Sequence, residues 1–145
     1  MILKKLPILV AILLCGCGRG GDEAARVTSP DGRHDAVVIE DGGGATTSFW
    51  YDICVVRVGE TCSSKEIALV LYDAGRNASA YGVNIHWDGP YRVRAEYDTA
   101  ERVQRMEPSP LIEAGVSIDI APGTIDKTAP PGAMVRRDLP RTGNR

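Results

Sequence analysis

The sequence predicts a small all-β domain, an antiparallel sandwich or barrel of about six to seven strands. Three observations carry that prediction. Segments of strand length alternate apolar and polar residues or run apolar throughout. Turn formers such as Pro30-Asp31-Gly32 and Gly89-Pro90 separate them at short intervals. No segment keeps a helical period through three turns. Short strands with frequent turns over a span of this size suit a sandwich or a small barrel.

The strands follow in order. Residues 35–40 form a short apolar run after the turn at Pro30-Asp31-Gly32, where Pro fixes one φ and Gly permits a positive one. Residues 49–58 (FWYDICVVRV) put Phe49, Tyr51, Ile53 and Val55 on one face and Trp50, Asp52, Cys54 and Val56 on the other. Apolar content on both faces marks a central strand covered on both sides. Residues 66–72 form another apolar run. Residues 83–88 alternate, with Val83, Ile85 and Trp87 inward and Asn84, His86 and Asp88 outward. After Gly89-Pro90, residues 91–98 place Tyr91, Val93, Ala95 and Tyr97 inward and Arg92, Arg94, Glu96 and Asp98 outward. This is the clearest hairpin of the chain, with room for cross-strand pairs of opposite charge on its outer face. Residues 115–120 alternate again, and 103–106 form a weak further strand, with a short helical turn over 100–106 as the alternative. Trp50, Tyr51 and Trp87 read as core residues rather than a ligand platform.

Size and charge exclude much. The 145 residues are one small domain's worth of chain, too few for a TIM barrel, a two-domain dehydrogenase or a propeller. The net charge of -2 divides unevenly: residues 27–121 hold 8 basic and 15 acidic side chains, a net of -7, whereas residues 122–145 carry +3. An acidic body argues against nucleic-acid binding. The basic segment 122–145, with four prolines and no periodicity, reads as an extended or disordered tail.

Residues 1–16 read as a signal. Lys4 and Lys5 precede nine apolar residues (LPILVAILL), a run too short to span a bilayer. Leu14-Cys15-Gly16-Cys17 resembles the lipobox of bacterial lipoproteins. Cleavage before Cys17 puts the small Gly16 before the cut, whereas cleavage before Cys15 puts the bulky Leu14 there, so Cys17 is the expected acylation site. Two acyl chains give stable attachment. The resemblance implies a lipid-anchored envelope protein, and Gly18 after the Cys implies the periplasmic face of the outer membrane in a two-membrane source. Residues 17–26 would then be a flexible tether holding the domain at residues 27–121 off the bilayer.

Cys54 and Cys62 are the remaining cysteines, and two thiols in an exported domain usually pair. A two-residue turn at Gly59 and Glu60 would set Cys54 opposite Lys65, so a disulfide requires a looser loop. Two Cys without a nearby His give no metal site, and no cofactor is expected.

Ser29-Pro30-Asp31-Gly32-Arg33, followed by Gly44-Ala45-Thr46-Thr47-Ser48-Phe49, resembles a group of small bacterial lipoproteins and exported proteins of uncharacterised function. The resemblance spans residues 29–58. It implies an exported β domain and brings no activity. Where that group places a Cys before the loop, this chain has Gly43.

Two features could carry chemistry. The loop DGGGATTS, with Gly44, Thr46, Thr47 and Ser48, is flexible in backbone and rich in hydroxyls. It leads into a strand and lacks a Lys, unlike phosphate loops, so it reads as a connection and as the candidate contact loop for an envelope protein partner. His86 and Asp88 share a strand face with Asn84 and could form the base and acid of a small hydrolase, with a hydroxyl from the Gly-rich loop as nucleophile. A solvated strand face is the plainer reading of the same stripe, and a non-enzymatic interaction module the plainer reading of the protein.

Cys17→Ala is expected to leave the chain unprocessed or to release it from membranes, checked by fractionation and by the loss of the acyl mass from its N-terminal peptide.

Overall fold

The computed structural model describes residues 21–42, 44, 46–75 and 82–124. The signal at 1–16, Cys17 and all but the first three residues of the 122–145 tail lie outside them, as do Gly43 and Ala45 of the Gly-rich loop.

Among the described residues, eight strands and one short helix build a two-sheet sandwich. The five-stranded sheet has the order β1 (Asp22–Thr28), β2 (His34–Gly42), β3 (Phe49–Arg57), β4 (Ile67–Tyr72), β7 (Arg102–Arg105). The three-stranded sheet has the order β5 (Val83–Trp87), β6 (Arg92–Tyr97), β8 (Ser117–Pro122). All pairs are antiparallel except β6 with β8. That pair is parallel because the chain leaves β6, adds β7 to the other sheet, and returns through α1 (Ser109–Ala114).

The inner faces meet in one core around Val38, Tyr51, Ile53, Leu69, Leu71, Val83, Ile85, Val93 and Ile118. Tyr51 is buried within it, and its hydroxyl donates to Glu40 at 2.9 Å. Side-chain donors tie the sandwich along both edges. The Trp87 indole N–H donates to the Val27 carbonyl at 2.8 Å, joining β5 to β1. The Arg105 guanidinium donates to the Ile118 carbonyl at 3.0 Å, joining β7 to β8.

β3 is the central strand of its sheet, and it is apolar on both faces as expected. Its outward residues Cys54 and Val56 pack with Val37 into a second small core, bordered by Ile39, Cys62 and Ile67. The β3–β4 loop folds back over this cluster, and a disulfide joins Cys54 to Cys62 with the Cα atoms 6.0 Å apart. The looser loop that such a bond requires is the one observed.

Several expectations need correction. β1 takes up the second half of the segment read as a tether at 17–26. Its Ala24, Ala25 and Val27 pack on the core, but a bulge between Glu23 and Ala25 breaks the two-residue period that would have revealed it. At the other end, the ordered chain passes residue 121: the N–H groups of Gly123 and Thr124 bond the Asp98 and Tyr97 carbonyls. The weak strand read at 103–106 is present as residues 102–105, and the alternative helical turn is not. The one helix among the described residues lies further on, entered through Pro108 and ended by Gly115 in the left-handed conformation (φ 65°). Tyr91, expected inward, is 49% exposed because it belongs to the turn before β6. Asn84 and Glu96, expected outward and solvated, are buried at 5% exposure each. They point away from the core and bond each other at 3.0 Å.

The turn at Pro30-Asp31-Gly32 closes the β1–β2 hairpin, with the Ser29 hydroxyl oxygen accepting from the His34 N–H at 3.0 Å. Beyond it, the buried Asp35 accepts from the Arg26 guanidinium and the Thr28 hydroxyl, each at 2.7 Å, and from the Gly59 N–H at 3.0 Å. Burial pushes the Asp35 carboxyl up, but the Gly59, Thr28 and Arg26 donors outweigh it and hold the group below its ordinary 3.8. A depressed carboxylate contributes stability that is complete above its unfolded-state pKa and is lost as pH falls through the folded value. Asp35→Ala is therefore expected to cost about 3 kcal/mol at neutral pH. In acid titrations followed by thermal melting, the wild type should lose more stability than Asp35→Ala as pH falls below about 3.8.

Candidate functional site

Among the described residues, the disulfide-stapled loop covers only part of the outer face of the five-stranded sheet. Along β3 that cover ends after Cys54, and the next outward residues are Asp52 and Trp50. Register sets Trp50 beside Tyr72 and Tyr72 beside Arg102, then Asp52 beside Val70 and Val70 beside Gln104. Neighbouring strands lie about 4.8 Å apart, so β3 and β7 form two walls about 10 Å apart with β4 as the floor. The result is a shallow groove of about 270 Å³ lined by these six residues. The Arg102 guanidinium lies over the Tyr72 ring, 5.5 Å from its centroid. Burial pushes the Asp52 carboxyl up, the charge of Asp41 adds to that, and a hydrogen bond from Trp50 offsets it in part.

Trp50 is therefore not the core residue expected of it. It is half-exposed on the outer face, whereas Tyr51 is buried and Trp87 packs against the core. Tyr72, Arg102 and Gln104 were not singled out by the sequence. Their juxtaposition depends on β7 pairing with β4 across some thirty residues of chain, which no local pattern announces. The two-faced pattern of β3 was the available signal.

The candidate contact loop adjoins the groove. It joins Gly42 to Phe49, and Trp50 follows directly. Gly44 has φ 100°, and its carbonyl accepts from the Thr47 N–H at 3.2 Å, closing a turn that a side chain at Gly44 would strain. Thr46 and Thr47 are exposed, Ser48 is half-buried and Phe49 is 43% exposed.

His86 and Asp88 are also brought together, on the outer face of the three-stranded sheet. His86 Nε2 lies 3.4 Å from Asp88 Oδ1, and His86 Nδ1 lies 3.8 Å from Glu96 Oε2. The neighbours then diverge from a hydrolytic triad. Arg94 forms an ion pair with Asp88, and Glu96 holds Asn84. The loop hydroxyls that would supply a nucleophile belong to the other sheet and its opposite end. Trp87 meets β1 at Val27, which pairs with Ala36, while the loop leaves β2 at Gly42. Six residues of strand separate those levels, about 20 Å. Among the described residues, no group of three or more His, Cys, Asp or Glu side chains could hold a metal ion.

No protein-family model, curated protein sequence or solved structure matches this chain.

His86→Ala is expected to leave both fold and reactivity unchanged, with a stability cost below about 1 kcal/mol for a half-exposed polar contact. A broad panel of esterase, amidase and phosphatase substrates, assayed beside thermal melting, checks this.

Proposed function

We propose that this chain is a lipid-anchored protein of the bacterial cell envelope that acts as a non-enzymatic binding module. Its contact surface is the open part of the five-stranded sheet together with the loop at residues 44–48. One observation carries the reading: the described residues leave part of this sheet face open, and an aromatic and polar groove lies there beside an exposed loop. A face with no role would ordinarily carry solvated side chains rather than Trp50 and Tyr72 side by side.

The anchor rests on the sequence, on the short apolar leader and the Leu-Cys-Gly-Cys motif with Cys17 as the acylated residue. The Cys54–Cys62 disulfide supports an oxidising compartment. Among the described residues no helix is long and apolar enough to cross a membrane. The resemblance over residues 29–58 to small exported lipoproteins points the same way. The partner is a component of the envelope, and the near-neutral groove and acidic body do not suit nucleic acid.

Crosslinking in intact envelopes, followed by recovery of the full chain, tests the reading. The wild type should yield a discrete adduct, and the double variant Thr46→Ala, Thr47→Ala should reduce its recovery by roughly tenfold. No adduct, or an adduct indifferent to the loop, would count against the module.

A further inference from the structure

The groove at Trp50 and Tyr72 has a chemistry narrow enough to name its ligand class. We propose that it binds a neutral, hydroxyl-rich ring, a pyranose unit of an oligosaccharide, between Trp50 on one wall and Arg102 and Gln104 on the other. This deepens the binding-module reading and rests on it.

The argument is one of complementarity. A pyranose has an apolar C–H face and a rim of hydroxyls, each both donor and acceptor. It is matched by an aromatic plane beside groups that donate and accept around an edge. The groove supplies those parts. Trp50 supplies the aromatic surface, and its neighbour in register, Tyr72, carries the Arg102 guanidinium over its own ring. Asp52 accepts, Arg102 donates and Gln104 does both. Val70 is the only aliphatic residue of the lining, too little for an apolar peptide anchor. At about 270 Å³ the space lies just below the usual range of small-molecule sites, the scale of a single ring.

Charge selects the neutral ligand. An anion at this site would meet Asp52, with Asp41 close behind it, against one guanidinium already placed over Tyr72. A cation would meet Arg102. A ring without formal charge avoids both penalties and can use the carboxylate and the guanidinium as hydrogen-bonding partners for its hydroxyls.

Calorimetry and tryptophan fluorescence on the purified full chain in detergent test the proposal. The probes are soluble gluco-, manno-, xylo- and N-acetylglucosamine oligosaccharides, with sulfated and uronic oligosaccharides as charged counterparts. At least one neutral series should bind in the micromolar to millimolar range and change the Trp50 emission. Trp50→Ala should weaken it roughly tenfold or more, and Gln104→Ala by about threefold to tenfold. Gln104 is exposed, so its variant keeps the fold even if Trp50→Ala does not. Three results would overturn the proposal: no neutral oligosaccharide binding up to about 10 mM, binding of charged saccharides alone, or affinity unmoved by both substitutions. A protein captured at the loop, with no saccharide bound, would overturn the ligand class and leave the binding module standing.

Discussion

The Asp35 carboxylate is where three separate pieces of chain are fastened. It takes Arg26 and Thr28 from the edge strand β1 and the Gly59 N–H from the loop after β3, while Arg26 also donates to the Glu60 carbonyl at 3.2 Å. Without that carboxylate, β1 would keep its ladder to β2 and the Trp87 bond at Val27 but lose the ties that Arg26 and Thr28 make to Asp35. The β3–β4 loop would lose the hold that starts its turn back across the sheet. That loop brings Cys62 onto Cys54 and closes the small outer core around Val37 and Val56. A closed loop of this length stabilises by about 2–3 kcal/mol on the chain-entropy model, but only if the loop is already steered to the right place. A buried polar hub thus helps to set which part of the sheet the loop covers and which part stays open among the described residues.

The two outer faces show how differently polar side chains can be used. On the three-stranded sheet the charges answer one another. Arg94 pairs with Asp88, Arg92 lies 3.4 Å from Asp119, and His86 sits between Asp88 and Glu96. Among the described residues these charges find their partners in the sheet and its β5–β6 turn, which suits a structural network better than a catalytic one. On the open part of the five-stranded sheet, the polar groups instead border aromatic rings around a space.

Much of the fold was legible from alternation alone. β2 to β6 follow the expected segments closely, and the two-sided apolar pattern at Phe49–Arg57 correctly marked a central strand. What escaped has physical causes. β1 is bulged and contributes alanines, which carry little hydrophobic signal. Asn84 and Glu96 stand at outward positions of alternating strands, and alternation reports direction, not cover. The parallel β6–β8 pair is a long-range consequence of the path through β7 and α1. The candidate site was half visible: the contact loop and Trp50 were noticed, but their neighbours Tyr72, Arg102 and Gln104 come from pairings that only the folded chain reveals.

The early start of β1 has a mechanical consequence. Asp22 pairs with Glu40 at the end of the sheet where the Gly-rich loop emerges. Only residues 18–21 lie between Cys17 and β1, so the proposed lipid and the domain are separated by a reach of about 18 Å. Under that anchoring the molecule is a pendant on a short leash. The loop end is held low, and the opposite end, with the Pro30-Asp31-Gly32 turn, points outward. The volume it could sweep under that anchoring would be a shallow layer over the bilayer.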